Sequence, residues 1–331
     1  MNYRKFGNTD LKVSEIGFGT WAIGGAAFVG KLAIGWGASD DAVSVKALHT
    51  AMDAGINFFD TADFYGLGHS EKLLGACFGN RKDVIIASKL GQKKGPNEQV
   101  LLDYTSDYII KACDESLKRL KRDCIDFHQL HVARMQHLEN GECIEAMQLL
   151  QRQGKIRYWG ISLNTFHPFP EADFFFQHQL GNGFQLVFNL INQKALPILS
   201  KAAAAGYGII ARMPLQFGLL SGKIKPDTVF GNDDHRSYRL VPTITETAIK
   251  ILQQEIWPLC DKYQTTAAGL ALSFILSHPE ITTVIPGIRT PEHVALNTEQ
   301  LVVISEQDKR HLQKLYESHW MPVMDLMEKQ G

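Results

Sequence analysis

Long apolar runs are missing from this chain: nowhere do roughly 18 apolar residues follow one another without interruption, as a membrane span requires. The opening Met1-Asn2-Tyr3-Arg4-Lys5-Phe6-Gly7 also lacks the apolar stretch of a secretory leader. No membrane partner is expected, and the cytoplasm is the expected compartment. Cysteine is scarce: Cys77, Cys113, Cys124, Cys143 and Cys260 are odd in number, scattered and never spaced as CxxC, which excludes a disulfide framework or a zinc knuckle. No excess charge of one sign exists either. Lys and Arg number 34 against 35 Asp and Glu, a formal net charge of -1 with no long run of either sign. A basic footprint for nucleic acid or anionic lipid is therefore absent. With 12 prolines among 331 residues and no linker of Pro, Gly and Ser, nothing divides the chain, and residues 1–331 are expected to form one domain.

What is present is enough apolar material for a sizeable core, 45% hydrophobic against 21% charged. From about residue 41 onward, apolar runs of strand length alternate with stretches of helical period, the pattern of βα units around a parallel sheet. The predicted strands run from Glu15 to Thr20, Ile56 to Asp60, Val84 to Ser88, Ile125 to Leu130, Ile156 to Ile161, Phe184 to Phe188, Gly208 to Arg212 and Thr282 to Ile285. Helices are predicted from Asp41 to Asp53, after Thr105 and Ser106, and from Cys143 to Leu150, Ala195 to Ala205, Thr243 to Tyr263 and Ala267 to Leu276. In the second of these, Ile109, Ile110, Cys113, Leu117 and Leu120 form one apolar stripe. Eight such strands suit a closed (β/α)8 TIM barrel. Two segments stand outside the alternation: a short extension, Met1 to Asp10, before the first strand, and a long loop, Gln216 to Pro242, between strands seven and eight. The second is expected to lie over the C-terminal mouth as a lid.

Barrels of this kind gather their chemistry at the C-terminal strand ends. There the second strand ends in Asp60 with Tyr65 in the following loop, the third in Ser88-Lys89, and the fourth in His128-Gln129-Leu130-His131. Packing alone does not ask for an acid, a phenol, a lysine and an imidazole at three consecutive strand ends. A phenol, with a reference pKa near 10, works as an acid-base group near neutrality only with help, and the cation of Lys89 can stabilise its phenolate. Asp60 would hold Lys89 in place, and His131 would donate to a substrate oxygen. Paired histidines also suggest a metal, but residues three apart on a strand point to opposite faces, so no metal site is expected.

The run Gly55-Ile56-Asn57-Phe58-Phe59-Asp60-Thr61-Ala62-Asp63-Phe64-Tyr65-Gly66, followed by Ser70-Glu71, resembles the aldo-keto reductase signature. The likeness continues through Gly17-Phe18-Gly19-Thr20-Trp21, Ser88-Lys89, Asp126 to His131, Gly160-Ile161-Ser162, Pro214 to Lys223 and Ile285-Pro286-Gly287. The resemblance implies a barrel that reduces an aldehyde or ketone to an alcohol, reversibly, by hydride transfer from NADPH in preference to NADH. It implies a tetrad of Asp60, Tyr65, Lys89 and His131, with Tyr65 as general acid and base. For the cofactor it implies Gly19, Thr20, Trp21 and Asp60 at the floor, and Ser162 and Gln185 at the nicotinamide carboxamide. Arg212 stands where many relatives stack an aromatic ring on the nicotinamide. Pro214, Leu215, Gly218, Leu219 and Lys223 match the pyrophosphate loop, and Gly287, Arg289, His293 and Asn297 the adenosine end, with Arg289 meeting the 2′-phosphate of NADP. Leu163 takes the place of the family's usual Asn after the fifth-strand serine, and Asn164 follows it. The family also contains potassium-channel β subunits, so a non-catalytic nicotinamide-binding regulatory or sensor subunit is the alternative. Trp21, Phe28, Trp36, Phe64 and Phe166 are expected around the pocket, which points to a small-molecule carbonyl or alcohol substrate with apolar or aromatic parts.

Overall fold

The structure, a computed structural model, describes residues 1–330. At its centre lies a parallel sheet of eight strands in chain order: β1 (Phe18–Gly19), β2 (Phe58–Asp60), β3 (Ile85–Leu90), β4 (Ile125–His131), β5 (Ile156–Ser162), β6 (Gly183–Val187), β7 (Gly208–Arg212) and β8 (Thr283–Ile285). Ile16 and Gly19 bridge in parallel to Val284 and Gly287, and the Gly17 amide donates to the Val284 carbonyl at 2.8 Å. The sheet thereby closes into the (β/α)8 barrel, with no row of unpaired backbone groups left along an edge.

A helix follows each strand: Asp41–Asp53, His69–Cys77, Ser106–Leu120, Glu142–Arg152, Phe169–His178, Leu196–Ala204, Ala267–Leu276 and Pro291–Thr298. Ser106–Leu120 buries Ile109, Cys113 and Leu120 of its predicted stripe, carries Lys118 and Arg119 in its last turn, and ends on Lys121 in the left-handed region. Pro291–Thr298 was not among the predicted helices, and neither were His69–Cys77 and Phe169–His178. Of the latter two, one has Gly75 in its interior and no capping side chain, the other three consecutive phenylalanines, and both features lower intrinsic helicity. The continuous helix expected from Thr243 to Tyr263 is instead Pro242–Ile251 and Trp257–Tyr263, separated by a π-helical turn over Leu252–Ile256. Pro258 has no N–H and its ring obstructs the preceding turn, so the hydrogen-bond ladder slips just ahead of it.

The N-terminal extension is a hairpin, Tyr3–Lys5 against Lys12–Ser14. It caps the N-terminal end of the barrel and sends Phe6 inside, where its ring centroid lies 6.4 Å from Phe58 and 4.8 Å from Phe127. A Cβ on Gly183 or Gly208 would come within 2.8 Å or 2.4 Å of the Phe6 ring, so these two strands need glycine for the plug to seat. At the opposite end the loop after β7 folds into a 3₁₀ turn, Gln216–Ser221, and a one-turn helix, Arg236–Arg239. It crosses the mouth and is stitched to the β1 loop: Asp234 bridges Trp36, the Gly37 amide reaches the Asp233 carbonyl and the His235 amide the Gly35 carbonyl. The lid position expected from its length is the one observed.

Phe6→Ala is expected to destabilise the protein by about 3 to 5 kcal/mol, through lost burial and a residual cavity. Urea unfolding should show a lower midpoint with unchanged slope; a loss below about 1 kcal/mol would mean that the plug is not part of the cooperative core.

Candidate active site

β2 and β3 end side by side, and their terminal side chains meet inside the barrel. The Lys89 ammonium is fully buried and its donors reach Asp60 Oδ1 at 2.5 Å, the Thr61 carbonyl at 2.9 Å and Tyr65 Oη at 3.0 Å. Three donors thus meet three acceptors. The other oxygen of Asp60 accepts from Gln185 Nε2 at 2.7 Å and from Gln129 Nε2 at 3.4 Å, so β2, β3, β4 and β6 converge on one carboxylate. Since Tyr65 Oη accepts from Lys89, its own proton is free to point into the cavity.

Tyr65 owes its position to a tight turn. Gly66 and Leu67 are left-handed (φ 58° and 52°), and a Cβ on Gly66 would sit 2.1 Å from the Gly24 carbonyl oxygen. Beneath the turn, Ser70 Oγ donates to Thr20 Oγ1 at 2.7 Å and lies 2.9 Å from Thr61 Oγ1, while Thr20 Oγ1 donates to the Asp60 carbonyl at 2.8 Å. Trp21 packs edge-on against the phenol at 4.7 Å between ring centroids, and the His131 ring lies 6.0 Å away. On β4, His131 lines the cavity while His128 is buried in the barrel wall, as period two demands.

Burial pushes the Tyr65 phenol above its ordinary pKa; the Lys89 charge pulls it down and Asp60 pushes it up again. Lys89 therefore does not give the phenolate at neutral pH that its cation alone would favour, and the group is a phenol able to donate. Burial acts to lower Lys89, but Asp60 and Tyr65 outweigh it and keep the ammonium charged. Burial, then the charges of Lys89 and Arg212, hold His131 well below the usual imidazole range, so it is neutral.

Asp60, Tyr65 and His131 line a cavity of about 680 Å³, with Lys89 buried behind Asp60 and Tyr65. Gly19, Thr20, Trp21, Asp60, Gln185, Arg212, Pro214, Leu215, Gly218, Lys223, Gly287, His293 and Asn297 all line it. Ser162 and Leu219 are buried at its margin. Ser162 Oγ and Gln185 Oε1 have no partner among the described residues, and a hydroxyl beside an amide oxygen suits a ligand carboxamide. Asn164 is not available to it: its Oδ1 accepts from the Phe166 and His167 amides at 2.8 and 3.0 Å. Arg212 forms no salt bridge among the described residues. It donates to the Leu163 carbonyl and Thr165 Oγ1, and burial brings its pKa down to about 10. Arg289 stands behind the cavity wall, its Nε donating to the Ala22 carbonyl at 3.3 Å and Nη2 to the Trp36 carbonyl at 2.5 Å. The Gly218 amide is taken by the Leu215 carbonyl at 2.8 Å.

Of the aromatic residues expected here, Trp21, Trp36, Phe64 and Phe166 line the cavity, whereas Phe28 stands on the outer surface. Sequence reasoning missed Gln129, whose amide closes on Asp60, and the lid residues His235, Arg236, Tyr238 and Arg239. The signal for the lid was its length and Arg content; nothing in one sequence says which of its residues face inward. The His235 ring sits among Trp21, Trp36, Phe217 and Tyr238 and accepts from Trp36 Nε1 at 3.4 Å.

Comparison with known proteins agrees with this geometry. The sequence model of the Aldo/keto reductase family matches residues 15–317. An aldo-keto reductase of Bacillus subtilis is 29% identical, covering 96% of this chain and 94% of its own. An NADH-specific methylglyoxal reductase of Escherichia coli is 27% identical over 94% of this chain and 97% of its own. The solved structure of a glycerol dehydrogenase from Gluconobacter oxydans superposes with a TM-score of 0.79 at 28% identity, covering 96% of this chain and 95% of that one.

Lys89→Met would leave the Asp60 charge buried without its cation. Stability is expected to fall by about 3 to 5 kcal/mol in urea unfolding, with part of the loss recovered by adding Asp60→Asn. A Lys89→Met protein as stable as the parent would mean that water reaches Asp60.

Proposed function

This chain belongs to the aldo/keto reductase family of oxidoreductases, and from that premise we propose that it reduces an aldehyde or ketone to the alcohol with NADPH, Tyr65 acting as general acid. The observation that carries this reading is the buried Lys89 ammonium held between Asp60 Oδ1 and Tyr65 Oη, both of which line the cavity. When bound, the dihydronicotinamide supplies hydride to the carbonyl carbon. Tyr65 gives its proton to the carbonyl oxygen as negative charge builds there. Lys89 then stands 3.0 Å from the resulting phenolate and stabilises it. Neutral His131 offers a ring N–H that orients the carbonyl oxygen without competing as an acid. In alcohol oxidation the Tyr65 phenolate takes the hydroxyl proton.

Ser162 and Gln185, with their unpartnered oxygens, would hold the carboxamide. Arg212 would lie flat against the nicotinamide. Pro214, Leu215, Gly218, Leu219 and Lys223 would surround the pyrophosphate, with Gly287, His293 and Asn297 at the adenosine. Lys223, Arg236 and Arg289 crowd that end closely enough that Arg236 lowers the Arg289 pKa and Lys223 that of His293, after burial in each case. This concentration of cations favours the extra phosphate of NADPH. A second reading, NADH, is supported by the carbonyl partners that already occupy Arg289 and by the NADH-specific relative.

Tyr65→Phe keeps the ring and removes the transferable proton. Its kcat for carbonyl reduction is expected to fall about a hundredfold to ten-thousandfold, while fluorescence titration shows dinucleotide binding unchanged. Because burial raises the phenol pKa, parent reduction should stay level from about pH 6 to about pH 9 while alcohol oxidation climbs over the same range. Full turnover in Tyr65→Phe would overturn the assignment, and turnover absent from the parent despite tight binding would favour the regulatory subunit. Arg289→Ala is expected to weaken NADPH about tenfold more than NADH, one charge-assisted phosphate contact being at stake. Equal weakening would pass the phosphate to Arg236 or Lys223.

A further inference from the structure

Two short hairpins stand on the C-terminal rim of the barrel, Phe28–Val29 against Leu32–Ala33 and Gln92–Lys94 against Val100–Leu102. Residues opposite each other in an antiparallel pair share a face, as do residues two apart along a strand. The register Gln92↔Leu102 and Lys94↔Val100 therefore puts Gln92, Lys94, Val100 and Leu102 on one face, and Lys93 and Leu101 on the other. The Lys93 face turns back onto the barrel, its ammonium paired with Asp103 and 4.7 Å from the centre of the Tyr108 ring. The opposite face looks over the cavity, since Gln92 and Val100 both line it.

The hairpins meet. The Gly30 amide donates to Glu98 Oε2 at 3.2 Å, and a Cβ on Gly30 would lie 2.6 Å from the Glu98 carbonyl oxygen. From the first hairpin, Leu32 lines the cavity as Val100 does from the second, yet Leu32 is 42% and Val100 36% exposed. Each is at once inner wall and outer surface. Leu102, 43% exposed, continues the Val100 face, whereas Phe28 shares the other face of its hairpin with Ala33 and takes no part in the lip. The only charge on that face, Lys94, is tied to Glu98. Single exposed apolar residues need no explanation, but these gather on two joined hairpins at one opening.

We infer that this apolar lip holds the tail of the substrate, an aldehyde whose unsubstituted hydrocarbon chain runs from the tetrad outward between Leu32 and Val100. The inference rests on the reductase reading above and names its substrate class. The hydrogen-bonding groups Tyr65 and His131 lie at the deep end, which places the carbonyl there and leaves the chain to leave by the lip. A partner protein is a poorer occupant, because covering Leu32 and Val100 would also close the cavity they line.

The test is kcat/KM for straight-chain aldehydes from propanal to octanal, with NADPH and NADH in parallel. The parent is expected to gain roughly threefold for each methylene that reaches the lip, below the full transfer value because the chain stays partly wet. In Leu32→Asn/Val100→Asn the octanal to propanal ratio should fall at least about tenfold. A parent series that is flat or declines, or a double variant that keeps the parent slope, overturns the lip while leaving the reductase reading in place. The parent slope needs no variant, so a misfolded double variant does not shield the inference. Absence of turnover at every chain length overturns the lip and the reductase reading together.

Discussion

A single buried ion pair governs this structure. Placing the Lys89 ammonium and the Asp60 carboxylate together inside a barrel is costly unless every donor and acceptor around them is matched. The chain meets that demand from four strands at once: Thr61 and Asp60 after and at the end of β2, Lys89 on β3, Gln129 on β4 and Gln185 on β6. Each of these side chains must point inward at the same height, so the register of the barrel and the geometry of the pair are one constraint. Tyr65 is the remaining acceptor for Lys89, and it is the one that faces the cavity. The reactive phenol is thus the exposed member of a set of contacts that the fold has to complete anyway.

The two ends of the barrel divide the work. At the N-terminal end Phe6, Phe58, Phe127, Ile85 and Ile210 fill the lumen with apolar side chains, and a hairpin seals it. At the C-terminal end the lumen is left to polar groups and the covering is made by loops that hold one another, the strap through Asp234 and His235 to Gly35 and Trp36, and the hairpins through Gly30 and Glu98. Stability drawn from the closed end permits an open end with polar atoms, Ser162 Oγ and Gln185 Oε1 among them, that no described residue satisfies.

Much of this was legible in the sequence, and the parts that were not share a cause. Asp60, Lys89 and His131 could be placed because strand alternation is local: period two decides which side chains face in and where a strand ends. The barrel strands were therefore found nearly in full, and His128 was separated from His131 before any coordinates. Gln129 escaped because its role depends on the height of Asp60 on another strand. The inward faces of Arg236 and Arg239 depend on where a long loop crosses, and the turn that Asn164 makes with the Phe166 and His167 amides depends on backbone geometry that one sequence does not show. The helix over His69–Cys77 went unseen for an energetic reason, since tertiary packing compensates for Gly75 and a missing cap.

Charge and backbone strain coincide in the loop after β7. Met213, Gln216 and Phe217 all have positive φ (54°, 42° and 57°), conformations that cost of order 1 kcal/mol or more each for residues with a Cβ. Asn189 Nδ2 donates to Gln216 Oε1 at 2.7 Å and to the Met213 carbonyl at 2.9 Å, while Gln216 Nε2 reaches the Met327 sulfur at 3.2 Å, so the segment after β6 and the helix Met321–Glu328 both pin the loop from behind. The same stretch carries Lys223 and leads to Arg236 and Arg239, next to Arg212 on the strand before it. Asp227, Asp233 and Asp234 offset part of this charge, and Asp234 pairs with Arg236. The strain of the loop is thus held from behind by neutral hydrogen bonds, which leaves its cations on the cavity side, where Arg212, Lys223, Arg236 and Arg239 all line the opening.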